Sequence, residues 1–241
     1  MIKRTEWRPF LDLLSPSFFR VVPAGPLFTE LRRLASLYRS ADAFERAVVH
    51  RRETLVRAGL PIRILGHAGA AGHAPMTASE RGQRVLELYF HQIFDDGPTL
   101  LDVRHESFAE SDGALVWSPS GALADWSPEF RGAVRALYRG FYRSDDLLFR
   151  EGLSALGLAG AEAAIRAQFG EGQQRAVRFS LRDFQQKFQD VFVRCQETGS
   201  RIATEFLPLG LYLATLYEHL EALGETFDAR AAFEAVDGAR P

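Results

Sequence analysis

The chain has 241 residues, a formal net charge of −2 and the apolar and charged fractions of an ordinary globular protein, which suffices for one large domain or two small ones around a real core. Its single cysteine excludes an internal disulfide framework, and no apolar run approaches the roughly 20 residues that span a bilayer. No stretch near the start has a signal-peptide pattern, so a cytoplasmic location is expected, with peripheral membrane contact as the other option.

Charge is unevenly spread. Arg32, Arg33, Arg39, Arg46, Arg51, Arg52 and Arg57 make residues 1–67 rich in arginine, while the remainder is acidic. Such a run forms either solvated helix faces or a basic surface for phospholipid or nucleic acid. No nucleic-acid partner is expected. Lysine occurs only at Lys3 and Lys187, which leaves two candidates for gripping a phosphate.

In chain order, Pro9, Pro16, Pro23 and Pro26 break regular structure over 9–28, where Phe18, Phe19, Val21 and Val22 are expected on the core. Leu27, Leu31, Leu34, Leu37 and Tyr38 then fall on one helix face. Phe44, Val48, Leu55 and Val56 continue after a break at Ser40-Ala41-Asp42, where Ser40 or Asp42 is a cap, and Gly59 is a natural stop. Residues 61–65 read as a short strand, and 66–75 as a glycine-rich linker. The next helix starts at Thr77 or Ser79, and Gly82 denies Ser79 a capping box.

A helical block runs from about Pro128 to Gly157, its second half opening at Ser144-Asp145-Asp146. Another covers Ala159 to Phe169. Ser180 caps a helix through Glu197, with Phe184, Phe188, Val191, Phe192 and Cys195 on a buried face, and Gly199 ends it. Phe206 to Leu223 is the last strong helix, closed by Gly224. Cys195 reads as a buried, inert thiol.

The order of motifs over about 80–230 resembles the C-terminal lobe of the UbiB-type (aarF-like) atypical kinases. Gln92-Ile93-Phe94-Asp95-Asp96-Gly97 matches that family's lead-in helix end. Asp112-Gly113-Ala114-Leu115 matches its strand-pair turn, and Ser127-Pro128-Glu129-Phe130-Arg131 matches its S-P-E-x-R helix opening. Asp145 or Asp146 with Gly152-Leu153 and Leu156-Gly157, and later Gly199-Ser200-Arg201-Ile202 through Phe227-Asp228, echo its closing helices. The departures concern the chemistry. Where the family has H-A-D-P-H-P-G-N, this chain has Leu100 to Ser107, and only Asp102 survives; Ser107 replaces the metal-binding Asn. Pro119 stands where the D-F-G Asp belongs. Phosphoryl transfer needs both of those metal ligands, so the resemblance implies a scaffold without kinase activity. It also implies an isoprenoid-lipid or quinone setting.

Other constellations are weaker. Gly66, Gly69 and Gly72 lack the spacing of a phosphate loop. The pairs Glu87/His91 and Glu218/His219 lack Glu-x-x-His spacing, so no metal site is expected. Asp102, Arg104, His105 and Glu106 form the densest polar cluster, read either as an acid–base pair of Asp102 and His105 or as a salt-bridged loop. Trp117 and Trp126 belong to an aromatic concentration that is core, or a partner surface where exposed.

The resulting expectation is a mainly α fold. An N-terminal helical segment (1–75) precedes a helical kinase-C-lobe-like domain (76–241) with one small β-hairpin near 100–117 and no recognisable N-terminal lobe. The expected function is non-catalytic binding of a protein partner or an apolar, lipid-like ligand, without a cofactor. The alternative is a small enzyme using Asp102 and His105 on an unknown substrate. Trp117, Trp126, Arg32 and Arg33 are the candidates for an interaction surface.

Overall fold

The structure is a computed structural model that describes residues 20–22, 24–64, 76–111, 113–169 and 176–238. Phe18, Phe19, Lys3 and the expected linker 66–75 lie outside the described residues. The helices are α1 (Ala24–Arg39), α2 (Ala41–Arg57), α3 (Ala78–Phe94), α4 (Pro128–Tyr142), α5 (Asp146–Ala155), α6 (Glu162–Phe169), α7 (Leu181–Glu197), α8 (Phe206–Leu223) and α9 (Ala229–Asp237). The strands are β1 (Ile62–Ile64), β2 (Thr99–Leu100), β3 (Phe108–Ser111), β4 (Ala114–Trp117), β5 (Leu123–Ala124), β6 (Val177–Arg178) and β7 (Thr226–Phe227). The fold is mainly α with small sheets.

Helix starts follow local chemistry. The Ser40 hydroxyl accepts the Ala43 N–H at 3.2 Å, and Ser180 does the same for Asp183 at 3.2 Å. Each satisfies a donor that the first helical turn leaves unpaired. At α3 the cap is Thr77, not Ser79. The Thr77 hydroxyl accepts the Glu80 N–H at 3.1 Å, and the Glu80 carboxylate accepts the Thr77 N–H at 2.9 Å. The reciprocal pair is therefore present two residues earlier than a start at Ser79 allows.

The block expected from Pro128 to Gly157 folds back on itself. α4 ends at Tyr142, Ser144 takes a left-handed φ of +57°, and Asp145 caps α5 by accepting the Leu148 N–H at 3.0 Å. The two helices then pack through glycines. A Cβ on Gly140 would stand 2.3 Å from the Phe149 backbone nitrogen, and one on Gly152 would stand 2.6 Å from that of Leu137.

The expected hairpin is β3–β4, with Phe108 opposite Trp117 and Ser111 opposite Ala114. The other pairings were not legible. β1 runs parallel to β4, which makes a sheet of order β1-β4-β3; β2 pairs with β5, and β6 with β7. The β1–β4 pairing joins residues on either side of the expected division at residue 75. The N-terminal helices reach the main sheet through β1, and one hydrophobic core runs from Val21 and Leu27 through Leu55 and Tyr89 to Val236. The spacing on α7 places Phe184, Phe188, Val191, Phe192 and Cys195 in that core, as expected. Among the described residues no helix is long and apolar enough to cross a membrane.

Candidate functional site

Two places have enough organised chemistry to be sites. The first is the turn after β2. Asp102 is 1% exposed, and its carboxylate accepts the Arg104 Nε–H at 2.8 Å, a second Arg104 N–H at 2.9 Å and the Ser120 backbone N–H at 3.2 Å. Burial by itself would raise the Asp102 pKa. The Arg104 hydrogen bonds and charge, with bonds from Ser120 and Ser107, outweigh burial and hold it below the usual carboxylate range. Arg104 also reaches Glu106 at 2.6 Å.

His105 has different partners. Its backbone N–H donates to Glu218 on α8 at 2.9 Å, and its ring lies edge-on to His219, with centroids 5.2 Å apart. Burial and then the nearby Arg81 charge lower its pKa. His219 is fully buried. Its Nδ1 pairs with the Val103 carbonyl at 2.9 Å, and its Nε2 accepts from Arg81 at 3.3 Å. A carbonyl accepts only, so Nδ1 carries the proton and the ring is neutral.

The two candidate catalytic residues are thus neighbours in sequence that serve separate networks. No hydrogen bond joins the Asp102 carboxylate to the His105 ring among the described residues. The carboxylate is engaged in a bidentate ion pair, which is the salt-bridged-loop alternative. Neither tryptophan offers a partner surface. Trp117 is stacked on Phe108 with ring planes 4° apart, and its indole N–H donates to the Asp102 carbonyl at 2.8 Å. Trp126 is buried beside Phe130 and Tyr212. Arg33 is held by Glu30 at 2.8 Å and by the Asp125 carbonyl, whereas Arg32 is exposed. No group of three or more His, Cys, Asp or Glu among the described residues is placed to hold a metal ion.

A part-buried pin went unrecognised in the sequence. Asp95 accepts from His50 at 2.6 Å and Arg51 at 3.2 Å, while Arg131 donates to the carbonyls of Asp95 and Gly97. This ties α2, the 95–97 turn and α4 together. The available signal was Arg51, a charge on the same α2 face as Ala47, Val48, Thr54 and Leu55.

The second place is an apolar cavity of about 90 Å³ between α3, α4, α7 and α8. Phe90, Leu137, Phe184, Phe188, Val191 and Leu216 are among its walls. Val177, Leu213 and Tyr217 also line it and are only half-buried, which places its mouth on their side. The Tyr89 and Tyr138 hydroxyls at its wall hydrogen-bond each other. Burial pushes both phenols upward, so they stay neutral. The lining therefore carries no formal charge and suits an uncharged, apolar guest. An engineered apolar cavity of about 150 Å³ admits benzene, so this smaller one fits a slim group of a few carbons. Sequence periodicity placed Phe184, Phe188 and Val191 on a buried face but said nothing of the space beside them.

Neither a protein-family model nor a curated protein matches this chain.

Proposed function

We propose that this chain is a non-catalytic binding protein on a degenerate kinase-C-lobe-like scaffold, and that its ligand is an isoprenoid-type lipid whose last few apolar carbons enter the cavity between α3, α4, α7 and α8. The observation that carries this reading is the uncharged aromatic lining of that cavity, with a mouth at Val177, Leu213 and Tyr217. Ligand sites are mostly apolar and concave, with few polar groups. A phosphate would leave its solvation shell without replacement there. The engagement of Asp102 by Arg104, and Pro119 at the position of a metal-binding aspartate, support a scaffold without phosphoryl transfer.

A thermal-shift titration tests it, using geraniol as the apolar probe beside Mg²⁺·ATP. A ligand specific for the folded state at about 100 times its Kd adds about 2.7 kcal/mol. We expect geraniol to raise Tm, Leu213→Trp to abolish that rise by closing the mouth, and Mg²⁺·ATP to have no effect. A metal-dependent ATP shift would restore an enzyme. A geraniol shift that survives Leu213→Trp would remove the cavity from the argument.

A further inference from the structure

α1 carries two apolar stripes. Leu27, Leu34 and Leu37 pack on the core. Phe28, Leu31 and Ala35, at steps of three and four residues, form a second stripe that faces outward, whereas the half-exposed Tyr38 ring lies beside Gly121. Phe28 is 65% exposed, Leu31 40% and Tyr38 45%. The open surface along this stripe also takes in Arg32, Ser36 and Arg39. A helix that is apolar on two sides normally has a partner on both.

Charge selects the occupant. Arg32 and Arg39 are exposed, one heptad apart, and neither forms an ion pair with a described residue. The only acidic residue of α1, Glu30, is buried and engaged by Arg33 at 2.8 Å. The outward face is therefore apolar and positive without a compensating carboxylate. A second copy seated on it would bring like charges together, which opposes self-association. An anionic bilayer surface supplies what is missing: phosphates for the guanidinium groups and an interface for Phe28 and Leu31.

We infer that α1 docks the protein on an anionic phospholipid surface, with Phe28 and Leu31 in the headgroup boundary and Arg32 and Arg39 on lipid phosphates. This surface is separate from the cavity, and its test is independent of ligand binding.

The full chain is sedimented with vesicles of equimolar phosphatidylglycerol and phosphatidylcholine, and with pure phosphatidylcholine. Binding is expected to the anionic vesicles only and to fall with added salt. Each arginine near an anionic surface is worth about 1 kcal/mol, roughly fivefold, so Arg32→Gln with Arg39→Gln lowers partitioning about 25-fold. Arg57→Gln with Arg182→Gln removes the same charge elsewhere and leaves binding nearly unchanged. Phe28→Ser weakens binding without changing Tm. Equal binding to both vesicle types, or equal loss in the two double variants, overturns the inference. A wild-type dimer that Phe28→Ser converts to monomer would assign the face to a second copy. A Tm drop of several degrees in Phe28→Ser would mean that the chain itself already covers it.

Discussion

His219 has the Val103 carbonyl on one ring nitrogen and Arg81 on the other, and its surroundings decide its titration. Burial, together with the Arg81 charge, pushes its pKa down to about 3. In the unfolded chain an imidazole takes a proton near pH 6.5. The unfolded state therefore binds the extra proton between those values, and stability falls as pH falls. The contribution is complete above about pH 6.5 and is lost progressively toward pH 3, at up to about 1.4 kcal/mol per pH unit. Urea melts of the wild type and His219→Gln across this window should diverge by the slope of about one proton; parallel curves would show that His219 does not titrate on unfolding. The polar cluster at 102–106 was legible because its members are adjacent in sequence. Arg81 and His219 were not linked in advance, because their contact depends on how α3 and α8 pack, and nothing local encodes that.

The α4–α5 hairpin shows the same division at the level of elements. Asp145 was identifiable as a cap, and Ser127-Pro128 as a helix start, because both act on the next turn of their own chain. The reversal between the helices was not, because it depends on two glycines meeting backbone across the interface. In Gly152→Ala the new methyl would press on the Leu137 nitrogen at 2.6 Å and the Ala133 carbonyl oxygen at 2.9 Å. We expect a loss of about 1–3 kcal/mol by chemical denaturation. Gly132→Ala, in the same α4 but with nothing within 4 Å of the added carbon, should gain about 0.5–1 kcal/mol from backbone entropy alone. If both substitutions had the same sign, close helix packing would not be the reason for the glycine at 152.

For the whole molecule, the mainly α character and the buried face of α7 were legible from periodicity, which reports which residues leave water. Periodicity does not report which buried surfaces meet, so the parallel pairing of β1 with β4 and the cavity emerged only in three dimensions. One consequence follows from Cys195, the only thiol in the chain, which is fully buried on α7 four residues beyond the cavity-lining Val191. Burial pushes the thiol up to about 11, and no reagent can approach it while α7 is seated. Its modification by a chromogenic disulfide is thus a built-in stopwatch for detachment of α7, and no label has to be engineered. Where reclosing outpaces modification, a guest in the cavity slows the clock by the factor 1 + [L]/Kd, so affinity becomes readable as elapsed time. Modification at the rate of a free thiol would instead show that α7 spends much of its time unseated.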